Sequence, residues 1–135
     1  YSSHPDEDKA AQLLASIKHF DAWQERRRQV AKMYDEGFAK AGIKTRKSPA
    51  YSTHNTHKYV IFVDNKFTAH EKLLSAGLQT AQHYVDNFAK LPWTPDTSEQ
   101  FPMTDKFIQQ GLSLPINAHI TDAEVQQVID IVSKI

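Results

Sequence analysis

The sequence predicts an α+β fold, a two-layer sandwich in which helices cover a three- to four-stranded, mainly antiparallel sheet. Three observations lead there. Apolar residues recur at helical spacing through the first forty residues and again near the C-terminus. Between these stretches lie short β-rich runs, Tyr59-Val60-Ile61-Phe62-Val63 and Leu112-Ser113-Leu114-Pro115. The interleaving occurs within 135 residues, the length of one domain, so residues 1–135 are read as a single unit.

The elements follow in order. Asp6, Glu7 and Asp8 favour a helix start, where carboxylates meet the positive end of the dipole. Ala10, Leu13, Leu14, Ile17 and Phe20 form one apolar face, and Val30, Met33, Tyr34 and Phe38 resume the pattern. The expectation is one long helix, or two with a bend near Asp21, ended by Gly37 or Gly42. A short strand at Ile43–Arg46 and a polar, Pro49-broken loop come next. Tyr59–Val63, continuously apolar, is expected to be buried on both faces.

Asn65 turns the chain, and Thr68 with Glu71 reads as a capping box before a helix that carries Leu73 and Leu74 and ends at Gly77. Gly77–Tyr84 is expected as a strand. Leu91–Phe101, with Pro92 and Pro95, reads as an ordered surface loop. Thr104 is placed as the cap of a short helix closed by Gly111, and Pro115 implies that the Leu112–Pro115 strand lies at an edge or an end. Thr121 and Glu124 form a second capping box, and Val125, Val128, Ile129 and Val132 a helical stripe.

Composition narrows the function. Acidic and basic residues balance at sixteen each, so no net field recruits nucleic acid or an anionic membrane. Cysteine is absent, which removes disulfides, thiolate nucleophiles and cysteine metal sites, and suits a cytoplasmic protein. No apolar run approaches the roughly 20 residues that span a bilayer. Tyr1 in place of Met implies residues ahead of it.

The sequence has neither a Gly-x-Ser-x-Gly elbow nor a phosphate-cradling glycine loop. His54 and His57 with His70 or His83 form the one histidine group with ligand potential. The spacing is loose and no cysteine helps, so hydrogen-bonded or surface histidines are expected instead of a metal. Arg26-Arg27-Arg28 point about 100° apart on a helix and cannot converge on one phosphate. They read as a solvated face paired with Asp21 and Glu25. His83-Tyr84 is the pair with chemical promise: Tyr84 is expected to anchor in the core by its ring and leave the His83 imidazole at the mouth of a groove.

These motifs, in this order, resemble the C-terminal small domain of the DegT/DnrJ/EryC1/StrS sugar aminotransferases. Ala10–Asp21 resembles that family's long interdomain helix, and Arg27-Arg28 with Tyr34 its arginine-to-tyrosine helix. His57-x-Tyr59-Val60-Ile61 is similar to its His-x-Tyr-Val-Ile strand, and Leu73–Tyr84 to its Leu-x-x-x-Gly-Ile-x-Thr-x-x-His-Tyr segment. Leu112-Ser113-Leu114-Pro115 and Ile120-Thr121-Asp122-x-Glu124-Val125 resemble its closing motifs. The chain departs after His83-Tyr84, where Val85-Asp86-Asn87-Phe88 replaces Pro-Pro-Leu-His. It departs also at the arginine that commonly opens the preceding helix, whose counterpart is Lys66 or nothing.

The resemblance implies an aspartate-aminotransferase-like small domain that covers a cofactor cleft and helps position a nucleotide-linked keto-sugar. It carries substrate contacts onto His83, Tyr84 and His57. Pyridoxal phosphate is implied for the intact enzyme but not for this chain: its Schiff-base lysine, acid and phosphate cup sit on a large domain that the sequence does not contain. Twelve lysines are present, none in a family motif. The implied partners are that large domain, a nucleotide-sugar and a second copy in a dimer. The alternative expectation is a stand-alone ligand-binding or assembly module that kept the fold without the chemistry.

Overall fold

A computed structural model describes residues 6–95 and 100–135. Tyr1 and the 96–99 part of the expected Leu91–Phe101 loop lie outside them. The described residues form five helices and three strands.

Helix α1 (Glu7–Ile17) starts on Asp6, whose carboxylate accepts from the Lys9 amide at 2.8 Å. The chain bends at Lys18–His19 and continues as α2 (Phe20–Ala41), so the two-helix expectation holds. Gly42 terminates α2. Gly37 does not: it lies inside the helix, where a Cβ would come within 2.8 Å of the Ile129 side chain. Its smallness lets α2 approach α5 (Asp122–Val132), not turn the chain.

Strands β1 (Lys44–Thr45), β2 (Tyr59–Phe62) and β3 (Gly111–Leu114) form one antiparallel sheet in the order β1-β2-β3. Strand alternation sorts the two faces. Tyr59 opposite Leu114 and Ile61 opposite Leu112 point into the core. There Tyr34 and Phe38 of α2 stack on each other, and both rings pack on Tyr59. Val60 opposite Ser113, and Phe62 opposite Gly111, point the other way, and Phe62 meets Phe107 edge-on. Buried polar atoms on the core side are satisfied: Tyr34 Oη donates to the Pro115 carbonyl at 2.7 Å and Tyr59 Oη to Asp35 at 2.6 Å.

Helix α3 (Lys66–Ser75) starts earlier than the sequence suggested. Asn65 Oδ1 accepts from both the Phe67 and Thr68 amides, so Asn65 is the cap, and Thr68 with Glu71 is not a capping box. The C-terminal end follows expectation. Gly77, at φ +83°, closes a Schellman motif in which the Leu78 amide donates to Leu73 and the Gly77 amide to Leu74. Helix α4 (Pro102–Gln110) opens on Phe101 with Pro102 in its first turn, which puts Thr104 inside it and not at its cap. The Thr121–Glu124 box forms with both of its bonds, and Val125, Val128, Ile129 and Val132 are buried. Pro115 stands just past the end of β3, as a residue without an N–H requires.

Gly77–Tyr84 is not a strand. Only Ala81 pairs, exchanging two backbone hydrogen bonds with Ser113 at 3.0 and 2.9 Å. Two residues on, the same register would set Gln79 against Pro115, which has no N–H to donate. The segment is held otherwise, by the buried Leu78 side chain and by Thr80 Oγ1 on His70 Nδ1 at 2.6 Å.

Candidate functional site

The sheet face away from the core supplies the site. Ser113 is buried there, a polar residue between two core leucines, and its Oγ lies 3.0 Å from His83 Nδ1. That bond holds the imidazole against β3 and leaves Nε2 without a hydrogen bond among the described residues. The His83–Tyr84 peptide bond is cis. The two rings meet edge-on with centroids 5.6 Å apart.

The expected roles of the pair are reversed. Tyr84 is 65% exposed, and it is His83 that is partly buried. Ser113 gives the imidazole a polar anchor, whereas the core-facing positions nearby are already filled by Leu78, Leu112 and Leu114. Two lysines position Tyr84. Lys58 Nζ donates to Tyr84 Oη at 3.1 Å and stands 4.8 Å from the ring centre, a cation–π geometry. Lys66, fully buried at the start of α3, donates from Nζ to the Tyr84 carbonyl at 2.7 Å. Burial lowers the Lys66 ammonium below its ordinary pKa, and Asp86 partly opposes the shift. The His83 imidazole is also lowered, first by burial and then by the positive charges of Lys58 and His57.

His57 is exposed at the rim, on a loop fixed by Thr56. Thr56 is buried at φ +49°, a left-handed conformation costly for a β-branched residue, and its amide donates to His54 Nδ1 at 2.8 Å. His57 also lines a shallow recess of about 370 Å³ with Phe20, Trp23, Arg27 and His119. The histidines do not converge. His54, His70 and His83 each make a local bond, and among the described residues no group of three His, Asp or Glu could hold a metal.

The arginines depart from expectation. Only Arg28 pairs with Glu25. Arg26 donates to the Ile120 carbonyl and pairs with Asp122 at 2.8 Å, and Arg27 reaches the Ile116 carbonyl, so two of the three tie α2 to the turn before α5. Helix α1 buries nothing. Leu13, Leu14, Ile17 and Phe20 are 53–67% exposed, an apolar stripe facing outward. No helix among the described residues is long and apolar enough to cross a membrane.

Sequence reasoning passed over Ser113, Lys58 and Lys66. Ser113 carried a signal, as the polar residue in an alternating apolar strand. Lys58, one alternation before Val60, carried a weaker one. Lys66 looked like any helix-surface lysine. The residues present do not fit a pyridoxal phosphate site. Lys66, the buried lysine, is committed to a carbonyl and makes no ion pair among the described residues, and no carboxylate or phosphate cradle accompanies it.

Residues 1–133 match the DegT/DnrJ/EryC1/StrS aminotransferase family. A UDP-2-acetamido-2-deoxy-3-oxo-D-glucuronate aminotransferase of Pseudomonas aeruginosa is 30% identical over 93% of this chain and 35% of its own length. The crystal structure of DesV of S. venezuelae with a ketimine intermediate superposes with a TM-score of 0.85 at 27% identity, over 93% of this chain and 35% of that one. DesI with its TDP-sugar product gives 0.79 at 20% identity, over 90% and 33%. The chain thus spans about a third of the length of the curated relatives it matches.

Proposed function

Because the chain belongs to the DegT/DnrJ/EryC1/StrS aminotransferase family, a family of pyridoxal-phosphate enzymes, we propose that it is the small domain of a sugar aminotransferase acting on a nucleotide-linked keto-sugar. Residues 1–135 make one domain, and the cofactor-binding large domain lies on other residues. In the assembled enzyme the bound cofactor supplies the amino-transfer chemistry. This chain supplies a wall: His83, Tyr84 and His57 contact the sugar nucleotide, and closure over it excludes water. The chain alone does not transaminate, and the assembled enzyme works in the cytoplasm.

One observation carries this reading. The apolar stripe of α1 is uncovered and lies at the end of the chain that resembles the interdomain helix. A stripe of that kind marks a surface built to be covered. The test mixes this chain with a pyridoxal-phosphate-binding large domain of the family and assays amino transfer to a nucleotide-linked keto-sugar. A stable complex with activity supports the proposal; no complex and no turnover removes it.

The same stripe supports a second reading, an assembly module that pairs with its own copy through α1. Sedimentation at high concentration separates the two. A dimer broken by Leu14→Asp supports self-association, and a clean monomer argues against it.

A further inference from the structure

Lys58 is the unexplained cation of the site. The ion pairs among the described residues are Lys9–Asp6, Arg26–Asp122, Arg28–Glu25, Lys32–Glu36 and Lys90–Asp105, and Lys58 takes part in none of them. Its ammonium instead rests on a phenol oxygen and a ring face, both weak partners for a partly buried charge. Around it stand only groups that donate or become positive: the Tyr84 hydroxyl, the His83 imidazole and His57. Lys66 is nearby but already satisfied by a carbonyl, with Asp86 near it. A surface that gathers a lysine, two histidines and a phenol without a carboxylate partner is complementary to an anion.

We propose that Lys58, with His83, Tyr84 and His57, forms an anion site that takes the diphosphate of a nucleotide-sugar, and that Lys58 is the charge that selects it. The assignment of the ligand rests on the sugar-aminotransferase reading; the anion site itself rests on the geometry. The chemistry is consistent atom by atom. Ser113 Oγ donates to His83 Nδ1, which puts the remaining proton on Nε2, facing outward as a donor. Tyr84 Oη, which accepts from Lys58, keeps its own proton to donate. The Lys58 ammonium keeps two further N–H groups. The positive charges that depress the His83 imidazole in the empty site are the field an incoming diphosphate would neutralise.

The test follows the His83 ring protons by NMR in the full chain during titration with inorganic pyrophosphate, UDP and uridine. Pyrophosphate and UDP should both shift the His83 signals and move its titration to higher pH, while uridine, which lacks phosphate, leaves them in place. Lys58→Ala should weaken both ligands by about tenfold, the scale of one lost charge-assisted contact. Lys58→Arg should keep them, and Lys47→Ala, in the basic groove beside β1, should change nothing. Binding of inorganic pyrophosphate with no added affinity for UDP would mark a free-phosphate site and overturn the nucleotide-sugar assignment. No shift at His83, or equal losses for Lys58→Ala and Lys47→Ala, overturns the site altogether. In the reconstituted enzyme Lys58→Ala should raise KM for the nucleotide-sugar with kcat kept. Unchanged KM in an active enzyme defeats this inference and spares the functional reading, whereas pyrophosphate bound at Lys58 without any transaminase activity does the reverse.

Discussion

Replacing Lys66 by methionine keeps the length of the side chain and most of its volume but deletes the ammonium that holds the Tyr84 carbonyl. A hydrogen bond from a charged donor contributes about 1.5–3 kcal/mol to stability. Against this, Lys66 is fully buried and its charge is desolvated, a cost of similar size that the methionine removes. The two nearly cancel for the whole chain. The Tyr84 carbonyl, in an exposed residue, can take water in place of the lysine, so no large orphan penalty is added. Global stability should therefore change by less than about 1.5 kcal/mol, or about 4 °C in Tm for a chain of this size.

The local effect of that substitution should be larger. Loss of the tether should raise hydrogen exchange about tenfold at amides from His83 to Lys90, with β2, β3 and α5 unchanged. Lys66→Ala adds a cavity and should cost about 2–4 kcal/mol globally. Exchange by mass spectrometry beside a urea melt measures both quantities. A Lys66→Met variant with unaltered exchange at 83–90, or one that unfolds globally, would refute the claim that Lys66 is the anchor of the site.

Burial raises the pKa of Tyr34 and of Tyr59, the second helped by its bond to Asp35. Both stay protonated in the folded chain where the unfolded chain ionises. Their contribution is thus complete below about pH 10 and falls as pH rises above it; urea midpoints against pH should show the fall, and Tyr59→Phe should flatten it. Gly37→Ala gains about 1 kcal/mol of helix propensity but forces a methyl within 2.8 Å of Ile129, an overpacking cost of about 1–3 kcal/mol. The net expectation is a less stable chain by chemical denaturation, restored when Ile129 is also shortened to valine. Thr121→Ala removes the reciprocal cap of α5 and should lower the urea midpoint, while Thr121→Ser should keep it.

The elements that could be read from sequence were those in which one local signal had no competitor. Val125, Val128, Ile129 and Val132 follow a capping box and have nothing upstream to displace it. Thr68 and Glu71 repeat the same motif, yet Asn65 stands three residues earlier with a short side chain that reaches two amides, so the helix starts there. The motif was present but a better cap preceded it. Gly37 shows the same limit. Whether a glycine ends a helix or admits a neighbour depends on Ile129, ninety-two positions away in the chain.

The site followed the same rule. His83-Tyr84 stood out by composition, and the family order placed it correctly in the chain. Which ring faces the sheet was decided by Ser113, and how the pair is held was decided by Lys58 and Lys66, all contacts between distant positions. Arg26 and Arg27 likewise took carbonyls in the turn before α5 instead of the carboxylates on their own helix. The expected strand at Gly77–Tyr84 failed because its neighbour, Pro115, has no amide hydrogen to offer.

The central claim is that this chain closes over a cofactor domain with the α1 stripe at the seam and His83–Tyr84 facing the cleft. Hydrogen exchange of the chain, free and mixed with a family large domain carrying pyridoxal phosphate and a nucleotide-sugar, tests it directly. The account predicts new protection at Leu13–Phe20 and at His83–Val85 together, with α5 unchanged. Protection confined to the Lys44–Ser48 edge or to α5, or none at all, would contradict it.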